Sequence, residues 1–107
     1  MAFLTKLEEL ALLAVLELKE EAYGISVLKR VSEITGKRMS IGSVYFPLDR
    51  MVEKGYLTAF KGEPTPKRGG IRKKHYRMTD KGLQVLEEMR KINDLAWQSY
   101  NGILSRE

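Results

Sequence analysis

Seven basic side chains crowd into residues 56–77 of this 107-residue chain: Lys61, Lys67, Arg68, Arg72, Lys73, Lys74 and Arg77, with Glu63 as the only acid among them. The stretch nets +6 in a chain whose total is +5, so everything outside it nets −1. Charge gathered in this way binds polyanions, because each ammonium or guanidinium that meets a phosphate releases a condensed counterion. Other chemistries are poorly supplied. His75 is the single histidine, there is no cysteine, and no pair of carboxylates has the spacing of a metal site or of general acid–base catalysis. No enzyme activity, cofactor or metal is therefore expected. Gly69-Gly70 beside the lysines lacks the strand–loop–helix setting of a nucleotide site, and suits instead a backbone that passes close to a polyanion.

Around that patch the chain reads as one domain. Its apolar fraction of 43% supports a modest core, and a second copy would help a chain of this size bury its surface. The absence of cysteine fits a reducing cytoplasm. The first residues, Met1-Ala-Phe-Leu-Thr-Lys-Leu-Glu8, have no basic segment before an apolar run, and no stretch is long enough to span a bilayer. A soluble, cytoplasmic protein is expected.

Thr5-Lys-Leu-Glu8 has the spacing of a capping box. The helix it opens, 7–18, is apolar on nearly every side between Leu10 and Leu16, and so needs cover on nearly every side. Ile25, Leu28, Val31 and Ile34 recur at helical spacing and are closed by Gly36, which predicts a second helix. After the short link Lys37-Arg38-Met39 comes a third. Ile41, Val44, Leu48, Met51 and Val52 fall on one side of it, and Gly42, Ser43, Phe46, Asp49, Arg50 and Glu53 on the other. Pro47 breaks the pattern, and predicts a helix that becomes regular only around 43–45. Two helices joined by a short link, the second opening with hydroxyls, outline a helix-turn-helix.

Residues 56–61 alternate as a strand does, residues 63–70 carry loop signals, and residues 72–79 read as a second strand. That strand puts Lys74, Tyr76 and Met78 on one side and Lys73, His75 and Arg77 on the other. Asp80, or else Thr79, caps a last helix over about 81–104, where Val85, Met89, Ile92, Ala96 and Ile103 form a seam of coiled-coil type. The expected fold is mainly α (α+β). It is a winged helix-turn-helix over residues 1–79 with a basic wing at 58–78, followed by a C-terminal dimerisation helix at 80–107.

Tyr23-Gly24, Ser43-Val-Tyr45 with Leu48 and Met51, Gly55-Tyr-Leu57, and Gly69-Gly70-Ile-Arg-Lys-Lys-His-Tyr76-Arg-Met-Thr79 with Gly82 together resemble the PadR family of bacterial transcription regulators, over about 7–86. The short tail resembles the branch with one helix after the wing. The resemblance implies a dimeric, sequence-specific repressor on double-stranded DNA, with a last helix that crosses to the other subunit. It also carries a DNA-contacting role to Tyr45, for which core packing is an equal alternative.

In the groove helix, Gly42 permits close approach and Ser43 can meet a base edge or phosphate. Phe46 suits a thymine methyl or packing on the hairpin, and Arg50 a phosphate or guanine. Asp49 repels phosphate unless it accepts from cytosine or pairs with Arg50. In the wing, Lys67, Arg68, Arg72, Lys73 and Lys74 are the phosphate-binding candidates. Trp97 and Tyr100 on the last helix either pack the dimer seam or receive a flat, small hydrophobic ligand, as in similar regulators that keep aromatics at this interface. The rival to a specific regulator is a winged-helix module for protein interaction, or for nucleic acid of any sequence.

Overall fold

A computed structural model of the chain describes residues 3–62 and 73–105. Helix α1, Lys6–Leu18, begins with the capping box: the Thr5 amide donates to Glu8 Oε1 at 2.8 Å and the Glu8 amide donates to Thr5 Oγ1 at 3.1 Å. A short 3-10 turn, Lys19–Glu21, leads into α2, Gly24–Thr35, which Gly36 closes in the left-handed region at φ 68°. Helix α3 covers Ile41–Glu53, strand β1 Leu57–Lys61, strand β2 Lys74–Met78 and helix α4 Asp80–Ser105. The strands pair antiparallel in a two-stranded sheet, from Leu57 opposite Met78 to Lys61 opposite Lys74. On its other edge β2 meets the start of α2, where the Tyr76 amide donates to the Ala22 carbonyl at 2.9 Å. Helices, basic hairpin and long last helix thus follow in the winged helix-turn-helix order.

The core lies where α1, α2, α3 and the inner face of the sheet meet. Leu12, Val27, Val31, Val44, Leu48, Met51, Leu57 and Tyr76 are buried there, each apolar side chain contributing on the order of 1.5–3 kcal/mol. The residues of α1 that face away, Leu13 and Leu16, stay exposed, as a helix apolar on most sides must when one domain covers only part of it.

Helix α3 corrects two expectations. It starts at Ile41, not near Ser43, because Ser40 caps it: Ser40 Oγ accepts from the Ser43 amide at 3.3 Å and lies 2.7 Å from Ser43 Oγ. Pro47 sits well inside, its ring buried beside Val44, Leu48 and Met51, so tertiary burial offsets the lost donor to the Ser43 carbonyl. Ile41, assigned by its spacing to the apolar side, is 51% exposed, because the first turn projects beyond the core.

The end of α3 is a Schellman motif. The Gly55 amide donates to the Val52 carbonyl, the Tyr56 amide to the Met51 carbonyl, and Gly55 takes φ 83°, which favours glycine. Thr79 then ties this turn to α4. Its amide donates to the Tyr56 carbonyl at 3.1 Å, its hydroxyl donates to the Gly55 carbonyl at 2.7 Å, and the same oxygen accepts from the Gly82 amide at 3.0 Å. Asp80, the cap that the sequence favoured over Thr79, is instead the first helical residue, and Thr79 before it is the one that caps. Gly82 lies against the Tyr56 carbonyl and Met78 Sδ with no room for a side chain.

Helix α4 has two parts. Val85, Leu86 and Met89 are buried in the chain's own core, and Asn93 Nδ2 donates to Glu9 Oε2 at 3.0 Å. Beyond Asn93 every described residue is exposed. The expected seam therefore divides: Val85 and Met89 are already covered within the chain, Ile92 is half-buried, and Ala96 and Ile103 are bare. Among the described residues no helix is long and apolar enough to cross a membrane.

Replacing Gly82 by alanine drives a methyl group into backbone, and its expected cost is about 1–3 kcal/mol in urea denaturation. Gly42 has nothing within 4 Å of an added Cβ. Gly42→Ala is therefore expected to leave stability unchanged or raise it by up to about 1 kcal/mol, as alanine replaces glycine in a helix.

Candidate nucleic-acid interface

The face of α3 turned away from the core carries the groove candidates. Gly42 is exposed and open on all sides, so a polymer backbone or base edge can approach the helix closely. Ser43 is half-buried, its hydroxyl within reach of Ser40 Oγ, where each can orient the other. Phe46 is 67% exposed, and the Arg50 guanidinium lies over its ring at 5.0 Å from the centre. The ring thus stands in water with a cation against one of its faces. Tyr45 is half-buried with its ring against Gly24, in a space that any side chain at position 24 would fill. It joins the two helices of the motif at the margin of the exposed face.

Asp49 does something not legible in the sequence. Its Oδ1 accepts from Lys74 Nζ at 2.9 Å and from the Tyr76 hydroxyl at 3.1 Å, so it pairs with the wing and not with Arg50. Tyr76 is 1% exposed, and burial, reinforced by the Asp49 hydrogen bond, holds its hydroxyl well above the ordinary tyrosine range. The phenol is thus a neutral donor that clamps β2 to α3.

The base of the wing extends one step past the strands, where the Gly62 amide donates to the Lys73 carbonyl at 2.8 Å. On the outer face of the sheet His75 stacks on Phe60 at 5.5 Å and meets Tyr23 edge-on at 5.4 Å. Lys73 Nζ lies 3.7 Å from the centre of the Tyr23 ring, and Arg77 is over Phe60 at 4.6 Å. His75 is therefore a packing residue beneath two cations. Lys67, Arg68 and Arg72, with Gly69-Gly70, lie outside the described residues.

Lys37 and Arg38 were read only as part of a link. Both are exposed in the link that enters α3, separated from its cap Ser40 only by Met39, and add two cations at the end where Gly42 and Ser43 lie. Two basic residues one position ahead of Met39 and the N-cap serine were the available signal. No group of three or more His, Cys, Asp or Glu among the described residues could hold a metal ion.

A second surface lies on α1 and α4. Leu13, Leu16, Leu83 and Leu86 line an open apolar groove of about 540 Å³ between the two helices. Along the bare part of α4, Leu95, Trp97, Tyr100, Ile103 and Leu104 are exposed, and Trp97 and Tyr100 meet edge to face at 5.2 Å.

The comparisons agree with this arrangement. Residues 12–88 match the Transcriptional regulator PadR-like family. The chain is similar to a PadR family transcription regulator from Clostridium difficile, with 24% identity, 94% of this chain and 99% of that one covered, and a TM-score of 0.77. It is similar to a PadR-like transcriptional regulator from Bacillus cereus, with 25% identity, 89% and 90% covered, and a TM-score of 0.70. A PadR family transcriptional regulator from Eggerthella lenta shares 26% identity over 89% of this chain and 80% of that one, with a TM-score of 0.70. No curated protein matches. With its winged helix-turn-helix, its basic wing and its long last helix, the chain belongs to the PadR-like family of transcriptional regulators, and is not an enzyme.

Proposed function

We propose that this regulator binds a specific, pseudo-palindromic operator as a homodimer and represses transcription from it. The observation that carries the reading is the exposed face of α3. It presents Gly42, Ser43, Tyr45, Phe46 and Arg50 beside a hairpin whose cations exceed its acids by six. The helix is short on charge, and so it selects bases, while Lys67, Arg68, Arg72 and Lys73 meet phosphates.

The apolar surface of α1 and α4 supports the dimer. Leu13, Leu16 and Leu83 face the groove, Leu95, Trp97, Ile103 and Leu104 stand bare beyond it, and a second copy of α4 covers both sets at once. Two α3 helices would then stand about 34 Å apart, one turn of DNA. The Trp97–Tyr100 pair favours a second element, a flat hydrophobic molecule that stacks between the subunits and releases the DNA. A winged-helix module for protein interaction, or for nucleic acid of any sequence, is the alternative function.

Footprinting of the DNA upstream of its own gene tests specificity, and equal affinity for that duplex and a random one at physiological salt would refute it. Replacing Lys67 and Arg68 together with glutamine is expected to flatten the log–log salt slope by roughly 0.9 per residue in each subunit. Arg50→Ala is expected to cost about 1–3 kcal/mol on the specific duplex. Changing Leu95 and Leu104 to aspartate should halve the mass seen in sedimentation, to the 12.3 kDa of one chain. Planar aromatic molecules should quench Trp97 and weaken DNA binding, and no change in either would remove the effector.

A further inference from the structure

We propose that Asp49 suppresses sequence-independent DNA binding by holding Lys74 in an ion pair and out of the phosphate contacts. The inference deepens the reading that α3 and the wing face DNA, and it rests on that reading.

The geometry of the pair is built, not incidental. Asp49 Oδ1 takes two donors, Lys74 Nζ at 2.9 Å and the Tyr76 hydroxyl at 3.1 Å. The second donor is fixed: the Tyr76 ring is buried, and its backbone amide is tied to Ala22. A carboxylate held by a fixed phenol is a stationary acceptor, and the longer, half-exposed Lys74 side chain comes to it. The sheet register supplies a reason for the pairing. Lys61 stands directly opposite Lys74, and like charges opposed across two strands repel. Asp49 offsets one of them.

The consequence for binding follows from electrostatics. Affinity for DNA of any sequence comes almost wholly from cations that displace counterions. Lys74 paired with Asp49 displaces none, and to reach a phosphate it would leave on the DNA-facing side of α3 a carboxylate with the Tyr76 hydroxyl as donor but no cation to balance its charge. The wing therefore grips with its remaining cations, and base contacts from α3 carry a larger share of the discrimination.

Salt dependence on a random duplex tests this, with Asp49→Asn, Lys74→Gln and the double variant. Asparagine keeps an oxygen for the Tyr76 hydroxyl, so D49N is expected to melt where the parent chain does. Between about 50 and 200 mM salt, the D49N slope is expected to steepen by roughly 0.9 per subunit. K74Q in the parent background should not flatten the slope, whereas in the D49N background it should restore the parent value. An unchanged D49N slope, or K74Q that flattens both backgrounds equally, overturns the inference and leaves the proposed function standing. If D49N melts early, K74Q alone decides: a slope kept supports the inference, and a slope flattened by about 0.9 overturns it. A parent chain that retains no duplex at low salt overturns both readings.

Discussion

Four hydrogen bonds at Thr79, one of them accepted by its carbonyl from the Leu83 amide, hold four elements in place. The end of α3, the start of β1, the end of β2 and the start of α4 all meet at this residue, through Tyr56, Gly55 and Gly82. A single threonine at the seam satisfies a carbonyl freed by the Schellman turn and an amide freed by a helix start, groups that otherwise need water or other partners. The groove helix and the last helix are consequently set against each other by main-chain contacts. Because Gly82 has no side chain, the two backbones can touch.

The wing is attached by a different principle. Its inner face is ordinary core, with Leu57, Tyr76 and Met78 turned inward. Its link to α3 is polar, through the carboxylate of Asp49. An apolar contact could hold the wing at α3 but would leave the sheet's two facing lysines unrelieved. The polar clamp fixes position and charge together, and keeps Asp49 from standing alone.

What the sequence disclosed and what it hid divide along the range of the interaction. The capping box at Thr5 and Glu8, the closing turns at Gly36 and Gly55 and the alternation of β2 are local patterns, and they could be read residue by residue. Pro47 misled, because its local penalty of about 3 kcal/mol was weighed without the burial that offsets it. Asp49 could not be placed, since its partners lie 25 and 27 residues away. Helical spacing put Val85, Met89, Ala96 and Ile103 on one seam, but spacing cannot say whose side chains cover it. The first two meet their own chain and the last two do not. For the groove helix, Gly42, Phe46 and Arg50 were placed outward from periodicity alone, and they are exposed.

The division of α4 has a mechanical side. Its 26 residues extend about 39 Å, and only the first part is held by the core. It is a lever with its fulcrum at Gly82. A tilt of about 5° there would carry the far end through roughly 3 Å over that length. In a dimer joined through the far ends, such a tilt would change the distance between the two groove helices. The tightness of one glycine against one carbonyl thus limits how far that lever can tilt.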